Sequence, residues 1–318
     1  MPNNRVEELV QRIDDLVNDT VVNTCVDKVC DKTVPIIEEF IKEKYGPLPQ
    51  VIEIHEGEEV RKITGVVHEV FETVLKLVSF DLPVYPSGEA GSGKNVICKQ
   101  IAEALGLPFY FTNAVTQEYK LTGFIDANGT YHETQFYKAF KDGGVFFLDE
   151  LDASIPEVLV ILNAAIANRY FDFPTGKIEA HPDFRIIAAG NTFGTGADHV
   201  YSGRYCLDGA SLDRFNTVLV PYSQRIEEAI TNGDTELLEF CHEFRKLARD
   251  SGNKAIFSYR GLGSIAKLKD SMPLEDVLKI CLVKGMDKDD LQLMQKGLAD
   301  ILPNNRYNQA FSSICLNS

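Results

Sequence analysis

Apolar residues follow a helical rhythm over the first 45 residues. Val6, Leu9, Val10, Ile13, Leu16 and Val17 recur at three- and four-residue steps with charges between them, and Val21, Val22, Cys25, Val26 and Val29 extend the stripe. Pro35 opens a second helix, Ile36 to Tyr45, which Gly46 closes. This predicts an N-terminal helical segment over residues 1–50, either a packed hairpin or an assembly element. Val51 to Ile54 reads as a short strand and Val67 to Val78 as a helix. From Leu82 the rhythm becomes strand, loop, helix, repeated. The predicted strands are Leu82–Tyr85, Pro108–Thr112, Val145–Leu148, Phe184–Ala189 and Thr217–Val220. Between them lie helices over Lys94–Leu105, one ending at Phe136–Phe140, and Pro156–Arg169 with its proline near the start. Alternation of this kind predicts an α/β domain over residues 51–222, a parallel sheet sandwiched by helices. After Pro221 strand signals nearly vanish. Ile226–Ile230, Thr235–Asp250, Tyr259–Leu268, Leu274–Val283 and Asp289–Ile301 predict a C-terminal helical domain over 223–318.

Bulk composition narrows the function class. A chain of 318 residues has room for about two domains. No apolar run reaches the ~18 residues of a membrane span, and Met1-Pro-Asn-Asn-Arg5 begins no signal peptide, so the expectation is a cytoplasmic protein without a membrane partner. The net charge of −15 argues against a surface that coats nucleic acid. The cysteines number seven, an odd count, and only Cys25 and Cys30 lie close together, which reads as reduced thiols rather than a zinc site.

The chemistry concentrates in two stretches. Gly88-Glu89-Ala90-Gly91-Ser92-Gly93-Lys94 follows a short apolar run and opens a helix. Its glycines let the backbone turn so that N–H groups face phosphate oxygens, the helix adds its positive end, and Lys94 reaches the terminal phosphates. Asn95 stands where such loops normally carry serine or threonine, and its amide oxygen is the replacement ligand for magnesium. Val145-Phe-Phe-Leu148 then delivers two adjacent carboxylates. Asp149 is the magnesium anchor, and Glu150 is the group that orients or deprotonates the attacking water. Asp152 reads as a cap for the following helix. Asn191 ends a third strand, at the sheet edge where ligands bind, within reach of that water or the terminal phosphate. The stretches together predict an enzyme that binds a nucleoside triphosphate with Mg2+ and hydrolyses it.

The glycine loop, Leu148-Asp-Glu-Leu-Asp152, His181-Pro-Asp-Phe-Arg-Ile-Ile-Ala-Ala-Gly-Asn-Thr192 and Leu212-Asp-Arg-Phe215 together resemble AAA+ ATPases. Within them the chain is similar to the MoxR-like and dynein-related (AAA_5) branch, including the cobaltochelatase small subunit. The resemblance spans about residues 80–222, and the helical lid only loosely. It implies that Arg214 is the arginine finger entering a neighbouring subunit's site, with Arg204 a second candidate, and that Arg260 is the sensor-2 arginine contacting nucleotide in its own subunit. It implies ATP as the nucleotide, and a homo-oligomer, a hexameric ring, acting on a protein substrate or adaptor. Residues 121–131, with an Asn128-Gly129 turn, match the helix-2 insert facing a ring pore, and 170–180 the hairpin before the sensor strand. Phe124, Ile125 and Tyr131 are then the groups that grip a protein or pack between subunits. Two other readings stay open: a nucleic-acid-directed or GTP-using motor, and a nucleotide-gated scaffold with little turnover.

Overall fold

Five parallel strands form the centre of the structure, a computed structural model that describes residues 50–56 and 59–314. These residues belong to one unit, Pro49–Ser318. The helices expected over the first 45 residues lie outside the described residues.

An antiparallel hairpin comes first, β1 (Gln50–Glu56) with β2 (Glu59–Gly65), where the apolar pattern predicts a single short strand. Helix α1 (Phe71–Ser79) starts four residues later than Val67. Then follow β3 (Val84–Ser87), α2 (Lys94–Leu105), β4 (Phe109–Thr112), the short α3 (Tyr119–Thr122), the hairpin β5 (Phe124–Ile125) and β6 (Tyr131–His132), α4 (Gln135–Asp142) and β7 (Gly144–Leu148). A 3-10 turn, Leu151–Ala153, leads to α5 (Pro156–Asn168), the hairpin β8 (Tyr170–Phe173) and β9 (Gly176–Glu179), β10 (Phe184–Ala188), α6 (Gly209–Leu212) and β11 (Asn216–Leu219).

The sheet order is β11-β3-β10-β7-β4. Side chains alternate across it, and both faces are buried. Val145, Phe147, Ile187 and Ala189 join the core under α1 and α2. Phe146, Leu148, Ile186 and Ala188 join the core under α4 and α5. Burial on both sides explains why these strands read as continuous apolar runs rather than alternating ones. Pro86 sits in β3, an interior strand, where proline is rare because it has no N–H to donate. Its carbonyl accepts from Gly190 N at 3.3 Å, but the β3–β10 ladder is reduced to one register pair, Val84 with Ile187, and a bridge from Ser87 to Gly190.

The C-terminal helices are α7 (Gln224–Thr231), α8 (Thr235–Asp250), α9 (Tyr259–Leu268), α10 (Leu274–Leu278), which widens into a π-helical turn at Lys279–Val283, α11 (Lys288–Ile301) and α12 (Arg306–Ser312). They bury their own core around Phe240, Phe244, Phe257, Tyr307 and Phe311. Ser223, Asp234, Ser258, Asp287 and Asn305 cap α7, α8, α9, α11 and α12 with side-chain oxygens. Asp234 does more than cap: Oδ2 also accepts from Lys269 Nζ and Arg306 Nη2, both at 2.5 Å, and from the Tyr307 hydroxyl at 2.7 Å.

Candidate functional site

Residues 88–95 turn from the end of β3 into α2. Gly91 and Gly93 have φ of +72° and +94°, left-handed backbone that a side chain resists. Gly88 is needed for space: a Cβ there would lie 2.2 Å from the Val220 carbonyl oxygen. The first-turn amides of α2 point at the mouth of this loop. Ser92 is buried, and its hydroxyl has no partner among the described residues. An orphaned donor and left-handed glycines at a helix start are what a phosphate group requires, so the loop fits a triphosphate.

Three strand ends converge on the loop. The buried Lys94 ammonium donates to the carbonyls of Gly88 (2.7 Å) and Glu89 (2.9 Å) and to Asn191 Oδ1 (3.0 Å) beyond β10. Asp149 and Glu150 follow β7. Asp149 Oδ2 accepts from Asn95 Nδ2 at 2.7 Å. With its amide nitrogen so engaged, Asn95 has its amide oxygen left to offer a hard cation, while one Asp149 oxygen is taken by the amide. Among the described residues no group of three or more His, Cys, Asp or Glu side chains could hold a metal. The donors that fit magnesium are thus Asp149 and Asn95, the remaining positions falling to water and substrate phosphates, as this ion prefers. Tyr259 and Arg260, at the start of α9, complete a cavity of about 410 Å³ with Ala90, Gly91, Gly93, Lys94, Asn95, Asp149, Glu150 and Asn191. Burial pulls the Lys94 ammonium down to about 8, while Asp149 and Asp152 hold it up and Arg260 lowers it further.

Asp152 is not the cap of the next helix. That cap position is Ile155, with Pro156 following it. Asp152 is fully buried in the 3-10 turn, and Oδ2 accepts from Asn191 N (3.0 Å), Thr192 N (2.9 Å) and Thr192 Oγ1 (2.9 Å). It therefore fixes the strand end that presents Asn191. Arg204 lies in its own chain's site: Nη2 is 3.1 Å from Glu150 Oε1, and Nε is 3.5 Å from Asp152 Oδ2. Arg214 does not line the cavity of its own chain; its guanidinium donates to the Ala210 carbonyl one turn back.

Two tyrosines that drew no notice in the sequence clamp the loop. Ala90 N–H donates to the Tyr201 hydroxyl (2.9 Å), and the Tyr222 hydroxyl donates to Ala90 O (2.8 Å). No spacing rule marks such residues, because they lie more than 100 positions from the loop. At the hairpin β5–β6, Phe124 and Ile125 are exposed, whereas Tyr131 is half-buried. Its hydroxyl donates to Thr122 O at 2.7 Å and its ring packs on Tyr137.

Fold and site together have the architecture of the α/β P-loop NTPase fold. Residues 87–215 match the family described as AAA domain (dynein-related subfamily). The chain is similar to an uncharacterized protein of Staphylococcus epidermidis, 25% identical over 244 residues, covering 69% of this chain and 90% of that protein. An uncharacterized protein of Staphylococcus aureus is 24% identical over 248 residues, with the same coverage. Among solved structures, NtrX from Brucella abortus gives a TM-score of 0.42 at 17% identity, over 62% of this chain and 45% of that one. No helix among the described residues is long and apolar enough to cross a membrane.

Proposed function

We propose that the chain is an AAA+ ATPase that hydrolyses ATP at the subunit interfaces of a ring, a hexamer, and uses the cycle to remodel a protein partner. The observation that carries this reading is the convergence of Lys94, Asp149, Glu150, Asn191 and Arg260 on one cavity beside the phosphate loop. Loop amides and Lys94 bind and orient the phosphates. Asp149 and Asn95 would hold Mg2+, which when bound neutralises phosphate charge. Glu150 accepts the proton of the attacking water, and Asn191, steadied by Asp152, orients that water or the terminal phosphate. Arg260 reaches the nucleotide from the helical lid, residues 223–318. Arg214 lies off its own cavity, which supports a role in a neighbour's. The nearer likeness to the MoxR-like group and the cobaltochelatase small subunit rests on the motifs alone, and the exposed Phe124 and Ile125 support a protein substrate.

A second reading, a nucleotide-gated scaffold with little turnover, is favoured by the Asn95–Asp149 hydrogen bond, which engages both metal-binding groups with each other. Phosphate release with and without Mg2+ separates the two. In the hydrolytic reading Glu150→Gln lowers turnover by roughly 10²- to 10⁴-fold and keeps ATP binding. Turnover at the parent rate in that variant removes Glu150 as the base.

A further inference from the structure

We propose that Arg204 is a latch on Glu150, a positioning residue that restrains the base of the reaction proposed above, on which this inference rests. The guanidinium bridges two carboxylates of its own chain. Its Nη2 engages Glu150 Oε1 at 3.1 Å and its Nε faces Asp152 Oδ2 at 3.5 Å. The Arg204 side chain is 12% exposed and that of Asp152 is 0%, whereas that of Glu150 is 37%. One end of the bridge is therefore anchored in the interior, and the other holds a group that opens to the cavity. Asp152 is itself immobilised by three donors from Asn191 and Thr192. The guanidinium cannot follow Glu150; Glu150 must leave it.

Arg204 belongs to a strap that lies on the site. Residues 194–207 form it, closed at its base by the Thr195–Cys206 bridge and by Leu207 N donating to Gly194 O at 2.9 Å. Tyr205 N donates to Asp152 O at 2.7 Å, and Tyr201 takes the Ala90 amide of the phosphate loop at 2.9 Å. The strap thus touches the phosphate loop, the base and the turn behind the base. Glu150 adopts left-handed backbone with φ of +55°, unusual for a residue with a side chain. A general base must aim a lone pair at its water. With Oε1 occupied by an N–H donor fixed to the strap, Glu150 is held in a resting orientation until the pair opens. The bland alternative is that Arg204 only balances the buried charge of Asp152.

Turnover distinguishes the two, because loss of a merely structural arginine lowers it. Arg204→Gln is expected to raise the kcat for ATP hydrolysis by about tenfold or somewhat less, the weight of one charge-assisted hydrogen bond on the resting orientation. The Kd for ATP, read with a fluorescent analogue, stays unchanged. Glu150→Gln combined with Arg204→Gln is expected to be as slow as Glu150→Gln alone. An unchanged or lower kcat in a folded Arg204→Gln protein overturns the latch, and so does a rise that survives in the double variant. If Arg204→Gln does not fold, Arg204→Lys is measured in the same way. It keeps a positive charge beside Asp152 but lacks the fork that serves two carboxylates, so kcat must still rise. Failure of the hydrolytic reading shows elsewhere, as full activity of Glu150→Gln by itself.

Discussion

Lys94 has three N–H donors, and Gly88, Glu89 and Asn191 take all of them. A phosphate must replace one of these acceptors, and the exchange requires the charged amine. Because burial lowers the Lys94 pKa to about 8, nucleotide affinity is full below that pH. It falls as pH rises through 8, by roughly tenfold per unit at most. ATP titrations between pH 7 and 9.5 check this, with Lys94→Ala weaker by about 10- to 100-fold and flat over the same range. Asn95 is the other residue with a readable consequence. Asn95→Thr returns a hydroxyl and frees Asp149 from the amide, so half-maximal turnover is expected at several-fold lower Mg2+. A magnesium curve that does not move would remove Asn95 as a ligand position. Of the residues that line the cavity, the glycine loop, Lys94, Asp149, Glu150 and Asn191 stand out in the sequence at strand or helix ends marked by periodicity, whereas Arg260 enters only through the family resemblance. Arg204 enters the resemblance only as a second candidate for the finger, and nothing local in the sequence links it to a glutamate 54 positions earlier. Asp152 looked like a cap because a proline-started helix follows, whereas its real partners are 39 and 40 positions away.

Elements behave likewise. Helices α2, α8 and α9 appear with the bounds the sequence predicted, because glycine or side-chain caps coincide with their apolar periods. Helix α12 went unseen: in seven residues only Tyr307 and Phe311 bear a large apolar surface inward. Its place is set instead by Asp234, through Arg306 and Tyr307. Asp234→Ala removes both a cap and a charge partner and is expected to cost about 2–4 kcal/mol in denaturant unfolding, with Asp234→Asn milder because the cap remains. Burial alone would raise the Asp234 carboxyl, but hydrogen bonds from Lys269 and Tyr307 outweigh it and lower it; His242 and Arg245 do the same for the buried Glu227. Lowered carboxyls stabilise above the unfolded carboxylate range, near pH 4, and that contribution is lost as pH falls through the folded values. The helical bundle is expected to loosen on acidification below about pH 4, read as loss of α-helical circular dichroism.

At the scale of the whole molecule, the proposed ring draws Lys94 and Glu150 from one chain and Arg214 from the next. Two inactive variants test it together. Arg214→Ala is expected to bind ATP normally and lose about 10³-fold or more in rate. Mixed in equal amounts with Glu150→Gln, it regains activity, because a site made of an intact base and an intact finger forms in about one quarter of head-to-tail interfaces. No recovery on mixing, under conditions where mass measurement shows mixed rings, would mean that both residues act within one chain's own site rather than across an interface. The net charge of −15 adds that such rings assemble against self-repulsion, so moderate salt favours them.

Pro86 gives the sheet a seam. Strands β11 and β3 remain stitched to each other by four register pairs, while β3 meets β10 through one pair and a bridge. If this protein pulls on a substrate, tension is carried across its sheet, and the weakest transverse joint runs between the strand that leads into the phosphate loop and the strand that leads to Asn191. Mechanical load and nucleotide state thus meet at the same line of missing stitches: force that parts β3 from β10 also draws Lys94 away from Asn191, and a ligand bridging the two acts as the thread that closes it.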